Sequence, residues 1–231
     1  MGMNLRSLTV SDKLSLLILL CSFATFAVLI PSFIMNWYSI LGTVQDPNDE
    51  TNAQVKWLQF SYTNAQLYEY PTGARKGPAT TLRESNMKNL SSLMGVSLAF
   101  NIVAWVISII IIISIFINRV IGFKHFTFAY IHKYLLSVAF LLVVISAFVV
   151  MRIPGAIKED CSYPNDKTND IASFICSLCI NNTCDKYPYG VGINSSFGFE
   201  IGWNFTVSVV PIVLSGAIAL YLTEVNKDKK K

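Results

Sequence analysis

The chain has 231 residues, of which 53% are hydrophobic and only 14% charged. Soluble domains carry about 25% charged residues, so this deficit argues against an ordinary soluble globule and for a membrane protein. The net charge of +4 comes from bases scattered along the chain rather than gathered on one soluble segment, which argues against nucleic acid as a partner.

Four long apolar segments, at about 14–35, 90–117, 134–151 and 203–222, contain no Asp, Glu, Lys, Arg or His. A ~30 Å hydrocarbon core takes roughly 20 helical residues to cross. The sequence therefore predicts an all-α membrane fold, a bundle of four transmembrane helices. A small extracellular or luminal module, a short β-sheet, is expected from its two outer loops. The layout is an N-terminal segment 1–13, span 14–35, outer loop 36–89, span 90–117, inner loop 118–133, span 134–151, outer loop 152–202, span 203–222 and a basic tail 223–231.

In chain order, the N-terminal segment carries Arg6 and Lys13 against Asp12. Met1-Gly2 is followed by Arg6 where a myristoylation motif has a hydroxyl. The first apolar stretch is longer than the roughly 7–15-residue core of a cleaved signal, and no Ala-x-Ala-like site follows, so it is read as a retained span. Cys21, mid-span, is read as a small packing residue. Pro31 falls in the last turn. Trp37 and Tyr38 fit an interfacial aromatic belt.

In the first outer loop, Leu58, Phe60 and Tyr62 alternate with Gln59, Ser61 and Thr63, a period of two that predicts a half-buried strand. Leu67–Tyr70 is the expected partner strand. Pro71 through Thr81, with Gly73, Gly77 and Pro78, reads as irregular. The competing reading is a loop with scattered aromatics. In the second span Ser91, Gly95 and Ala99 recur every four residues, a spacing that permits close helix approach in lipid. Asn101 is expected to bond a neighbouring helix. The inner loop holds His125 and His132 without a third ligand or an acid, a poor metal site. In the last span Pro211 is expected to bend the helix, and Ser215 and Ala219 make a second small pair.

The inner segments are basic: Arg119, Lys124 and Lys133 face no acid in the middle loop. The first outer loop balances five bases with five acids, and the second sets four bases against six acids. The positive-inside rule then places both termini and the middle loop in the cytosol. Cys161, Cys176, Cys179 and Cys184 fall in the second outer loop. Four closely spaced cysteines on an oxidising side read as two disulfides with three possible pairings. A bridge from Cys161 to the later cluster would contribute about 3 kcal/mol in the chain-entropy model. Tetrahedral zinc is the alternative and needs the opposite topology. Asn181 and Asn194 are candidate glycan acceptors. At the C-terminus, Lys227 and Lys229 stand five and three residues from the end, the positions of a dilysine retrieval signal. The competing reading is a plain basic tail.

Four spans, cytosolic ends, a larger and partly β first outer loop and a short basic inner turn resemble the group formed by the claudins, the peripheral myelin proteins and their fungal counterparts. Trp37 and Trp57 are similar to that group's loop tryptophans. Its Gly-Leu-Trp-Cys-Cys signature is missing, and the cysteines sit in the second loop, as in tetraspanins, without the tetraspanin Cys-Cys-Gly. The resemblance implies the architecture and a class of roles, and carries over no functional residue.

No catalytic motif, cofactor site or metal site is read from the sequence, and the spans hold no ionisable group of the kind that marks transport pathways. The expected role is non-enzymatic: organising or adhering to other membrane proteins, or to a second copy of itself, from within the lipid bilayer. Trp57, Phe60, Tyr62 and Tyr68 of the first loop, with Tyr187, Tyr189 and Phe197 of the second, are the candidate contact residues. They are equally candidates for the module's own core. The alternatives are a subunit or cargo adaptor of the early secretory route that uses the dilysine tail, and a membrane-embedded lipid-modifying enzyme. The expected site is the plasma membrane, or the endoplasmic reticulum and Golgi.

Overall fold

The structure, a computed structural model, describes residues 10–46, 49–70, 74–75, 79–121, 127–162, 170–180, 190–191 and 195–228. In chain order these form helix α1 (Val10–Ile34), then strands β1 (Tyr38–Asp46), β2 (Asp49–Phe60), β3 (Asn64–Tyr70), β4 (Ala74–Arg75) and β5 (Thr80–Thr81). Helices α2 (Lys88–Ile121), α3 (Thr127–Val150), α4 (Ile153–Ser162) and α5 (Asp170–Ile180) follow. Strands β6 (Gly190–Val191) and β7 (Ser195–Phe199) and helix α6 (Ile201–Asp228) complete the chain. Two compact units result. One comprises Met1–Ile30, Phe100–Val144 and Thr206–Lys231, and the other Pro31–Ala99 and Ile145–Phe205.

The first unit is helical, and its exterior is as apolar as its interior. Ser22, Thr25, Asn101, Ser108 and Thr206 are buried, whereas Leu20, Phe23, Ile113, Phe116 and Leu141 are exposed. Small polar side chains that bond helix carbonyls or a neighbouring helix inside, with apolar side chains outside, suit helices surrounded by lipid. The Asn101 amide donates to Thr206 Oγ1 at 3.3 Å, the interhelical bond expected of it. Phe26 of α1 stacks on Trp105 of α2 with ring centroids 5.3 Å apart. Gly216 of α6 lies against Leu136 and Cys21, where an added Cβ would come within 2.9 and 3.2 Å.

Two helices are long and apolar enough to cross a membrane, Leu16–Ile34 and Lys88–Ile117. A third arises if Tyr134–Val150 and Ile153–Ser162 count as one span, broken by a 45° bend. The corresponding stretch of α6, Gly202–Ile218, is apolar but shorter. Among the described residues the helices thus carry two to three candidate spans rather than four. The third apolar segment ends at the bend, and the fourth falls short in length. The small-residue stripe of α2 does not admit a neighbouring helix as expected. Gly95 and Ala99 are exposed, and a Cβ at Gly95 would meet nothing within 4 Å. The inward side of this stretch carries Met94 and Ser97 instead. Ser97 Oγ and Ser146 Oγ of α3 share a 2.7 Å hydrogen bond.

The second unit is built on an antiparallel sheet in the order β4-β3-β2-β1-β7-β6, with β5 also paired to β3. β1, left unassigned by sequence, is an inner strand. Tyr38 faces Phe60 of β2 on one side and Phe199 of β7 on the other, so both outer loops contribute. The expected strand around Leu58 and Phe60 and its partner at Leu67 are present as β2 and β3. The two-residue strands β4 and β5 fall where an irregular loop was expected. Ile40, Leu58, Phe60 and Leu67 occupy the buried face of the sheet and pack with Leu82, Met87, Leu90 and Met94 in one hydrophobic core. Two helices not foreseen in the second loop complete that core. α4 supplies Ile153 and Ile157, and α5 supplies Ile171, Phe174 and Ile175. Those α5 positions are spaced by three and four residues, which puts them on one helix face.

Candidate functional site

Trp37 and Tyr38, read from sequence as an interfacial belt, are instead fully buried at 0% and 1% exposure. The Trp37 indole N–H donates to the Ser32 carbonyl at 2.6 Å, in the last turn of α1. Its ring lies 4.2 Å from that of Tyr62. Its backbone N–H donates to the Phe60 carbonyl at 2.7 Å, and its carbonyl accepts from Glu200 at 2.9 Å. Gly202 closes the corner. Its N–H donates to the Asn36 carbonyl at 2.8 Å, and a Cβ there would come within 2.7 Å of the Trp37 ring. Burial holds the Tyr38 phenol above its ordinary pKa.

The candidate contact residues separate into two sets. Phe60 and Tyr62 belong to the core, with 0% and 3% exposure, because their positions alternate onto the face that α2, α4 and α5 cover. They are not available to a partner. Trp57 and Tyr68 lie on the opposite face of β2 and β3, half-buried, in register with each other and with ring centroids 5.7 Å apart. Leu41 of β1 is in register with Trp57, so Leu41, Trp57 and Tyr68 form a row across three adjacent strands. Phe197 lies in β7, in register with Ile40. Tyr187 and Tyr189 lie outside the described residues, as do Asn181, Asn194, Cys184, Lys229 and His125. Lys227 is in the last turn of α6 and His132 in α3.

Of the three cysteine pairings left open by sequence, the structure contains Cys161–Cys176, which joins α4 to α5. With its sulfur in that bond, neither residue offers a thiolate to zinc. Cys179 lies on α5, and its place in a second bridge falls outside what is described. Cys21 is free and buried.

Sequence reasoning missed the residue beside Cys161. The two carboxylate oxygens of Asp160 each accept a 2.9 Å hydrogen bond, one from the Asn89 N–H and one from the Leu90 N–H. These are donors of the first turn of α2, which have no partner within the helix. A carboxylate also suits the positive end of the helix dipole. The one local hint is Met87, just before α2, whose side chain has no oxygen with which to cap the helix. Asp160→Ala is expected to destabilise the protein by about 2 kcal/mol, since charge-assisted bonds contribute about 1.5–3 kcal/mol and both are partly exposed. Asp160→Asn should lose less. Thermal unfolding of the purified variants in detergent checks both the direction and that order.

Beside this clamp, a cleft of about 640 Å³ opens between the start of α2 and the junction of α3 with α4. Its apolar wall is Leu93, Val96, Val149 and Met151. Asn89, Arg152 and Glu159 line its polar part, and Gly155 lies between Arg152 and Glu159. Arg152 and Glu159 were not singled out together by sequence, since they meet only through the bend and the helix that follows it. Among the described residues, no cluster of three His, Cys, Asp or Glu side chains is placed to hold a metal. No protein-family model matches the chain, and no curated protein matches it.

Proposed function

We propose that this chain is a non-enzymatic multi-pass membrane protein that contacts other membrane proteins through the outward face of its extramembrane sheet. The observation that carries this reading is the half-exposed row Leu41, Trp57 and Tyr68. Large aromatics presented on adjacent strands of a rigid sheet are typical interface anchors. The apolar exterior of the helical unit supports the membrane setting. The Cys161–Cys176 disulfide supports an oxidising compartment for the sheet. In this reading α1, α2, α3 and α6 each cross the bilayer, both termini are cytosolic, and the likeness to the claudin and peripheral-myelin-protein group is one of architecture.

A photo-crosslinking amino acid at position 41, in the row itself, tests the proposal in cells. The expected result is a discrete protein adduct that Trp57→Ala with Tyr68→Ala reduces about tenfold, the loss of about 1.4 kcal/mol of binding. The double variant should unfold at nearly the wild-type temperature, because both side chains are only half-buried. An adduct insensitive to the double variant would overturn the assignment of this face.

A further inference from the structure

We propose that the cleft between α2 and the α3–α4 junction is a binding site for one zwitterionic glycerophospholipid, with its phosphate on Arg152 and its ammonium on Glu159. This rests on the reading that α2 and α3 cross the bilayer. Arg152 is the first charged residue after the apolar segment 134–151, so it stands closest to the hydrocarbon. Its carbonyl accepts from Ala156, which makes it the start of the α4 turn. Glu159 follows two helical turns later, about 10 Å farther along the axis. That spacing is too long for the three- or four-residue ion pair of a helix surface, so a ligand lying between the two side chains meets both charges. A glycerophospholipid presents its groups in the same order, acyl chains, then phosphate, then amine. Guanidinium binds phosphate with paired, charge-assisted hydrogen bonds. Glu159 suits the ammonium and repels a headgroup that carries only negative charge.

The walls suit the rest of the molecule. Leu93, Val96, Val149 and Met151 offer an apolar surface to the first methylenes. Each helix also carries exposed apolar side chains of its own, Val103 and Ile110 on α2 and Leu141, Ile145 and Phe148 on α3. The volume of about 640 Å³ falls within the ~300–1,000 Å³ of small-molecule sites. Gly155 keeps the centre open, since a Cβ there would meet nothing within 4 Å.

The test uses the full-length protein in detergent, mixed with equal amounts of dioleoyl phosphatidylcholine and dioleoyl phosphatidylglycerol, with retained lipid counted by native mass spectrometry. The wild type is expected to retain phosphatidylcholine in preference to phosphatidylglycerol. Gly155→Leu, whose Cβ would meet nothing within 4 Å, places an apolar side chain in the cleft and should lower that adduct about tenfold, with a thermal midpoint at or above wild type because Gly is a poor helix residue. Arg152→Gln should weaken retention of both lipids. Glu159→Gln should abolish the preference between them. An undiminished phosphatidylcholine adduct in Gly155→Leu, or a preference that survives Glu159→Gln, would overturn the site. Flotation of the wild type with phosphatidylcholine vesicles separates the two claims. A chain that does not float defeats the membrane reading itself, and a chain that floats while Gly155→Leu binds normally defeats the site alone.

Discussion

Trp37→Ala is expected to lower the unfolding free energy by about 4 kcal/mol, within the roughly 3–5 kcal/mol seen when a buried Phe or Trp is truncated. Three connections meet at this residue. Its ring fills a fully buried space beside Tyr62. Its indole N–H satisfies the Ser32 carbonyl at the end of α1, where helix carbonyls have no intrahelical donor. Its main chain bonds both Phe60 and Glu200, so a cavity here loosens β2 and the approach to α6 together. At about 2–4 °C per kcal/mol for a chain of this size, the thermal midpoint in detergent should fall by roughly 8–16 °C. Trp37→Phe keeps most of the volume and loses the donor, so it should fall between wild type and alanine. A midpoint unchanged by alanine would contradict the role assigned to this corner.

Opening the Cys161–Cys176 bridge should cost about 3 kcal/mol. The bond closes a sequence separation of 15 residues, and closing a loop of that length removes entropy from the unfolded state and raises its free energy by about that much in the chain-entropy account. The native state also feels the loss. Cys161 directly follows Asp160, whose carboxylate holds the first turn of α2. Cys176 lies one residue beyond Ile175, a core residue of α5. Cys161→Ser with Cys176→Ser should therefore unfold at a distinctly lower temperature than wild type. Wild type treated with a thiol reductant should approach the variant. Equal midpoints for oxidised and reduced protein would count against the bridge as a structural tie.

The parts of the fold that were legible in the sequence are those set by local chemistry. Long runs without a charge mark α1, α2, α3 and α6 as apolar helices. The alternation at Leu58 and Phe60 marks β2 because a strand presents successive side chains to opposite faces. β1 was hidden by its position. Trp37 and Tyr38 follow an apolar helix, where aromatics ordinarily sit at the membrane interface, and only the pairing with Phe60 and Phe199 shows why they are buried. α5 was masked by its cysteines, although Ile171, Phe174 and Ile175 recur at helical spacing. The Asp160 clamp spans some seventy residues, and no local pattern announces a contact of that range. The same holds for the cleft, whose charged side chains come from the bend after α3 and the helix beyond it. Of the candidate contact aromatics, the sequence carried the residue types but not the face. Tertiary packing divided Trp57 and Tyr68 from Phe60 and Tyr62.

The pairing of β1 with β7 also fixes an order of events during biosynthesis. Tyr38 aligns with Phe199, so at about 5–20 residues per second the ribosome needs on the order of ten to thirty seconds to make the roughly 160 residues between them. For that interval β1 has one edge without its partner, in a chain whose neighbouring segments are already strongly apolar. Open strand edges are templates for pairing with other chains. Newborn molecules are therefore most vulnerable to cross-chain association after the first three apolar segments have emerged and before the last strand arrives. Truncations ending ahead of Ser195 would make that interval permanent.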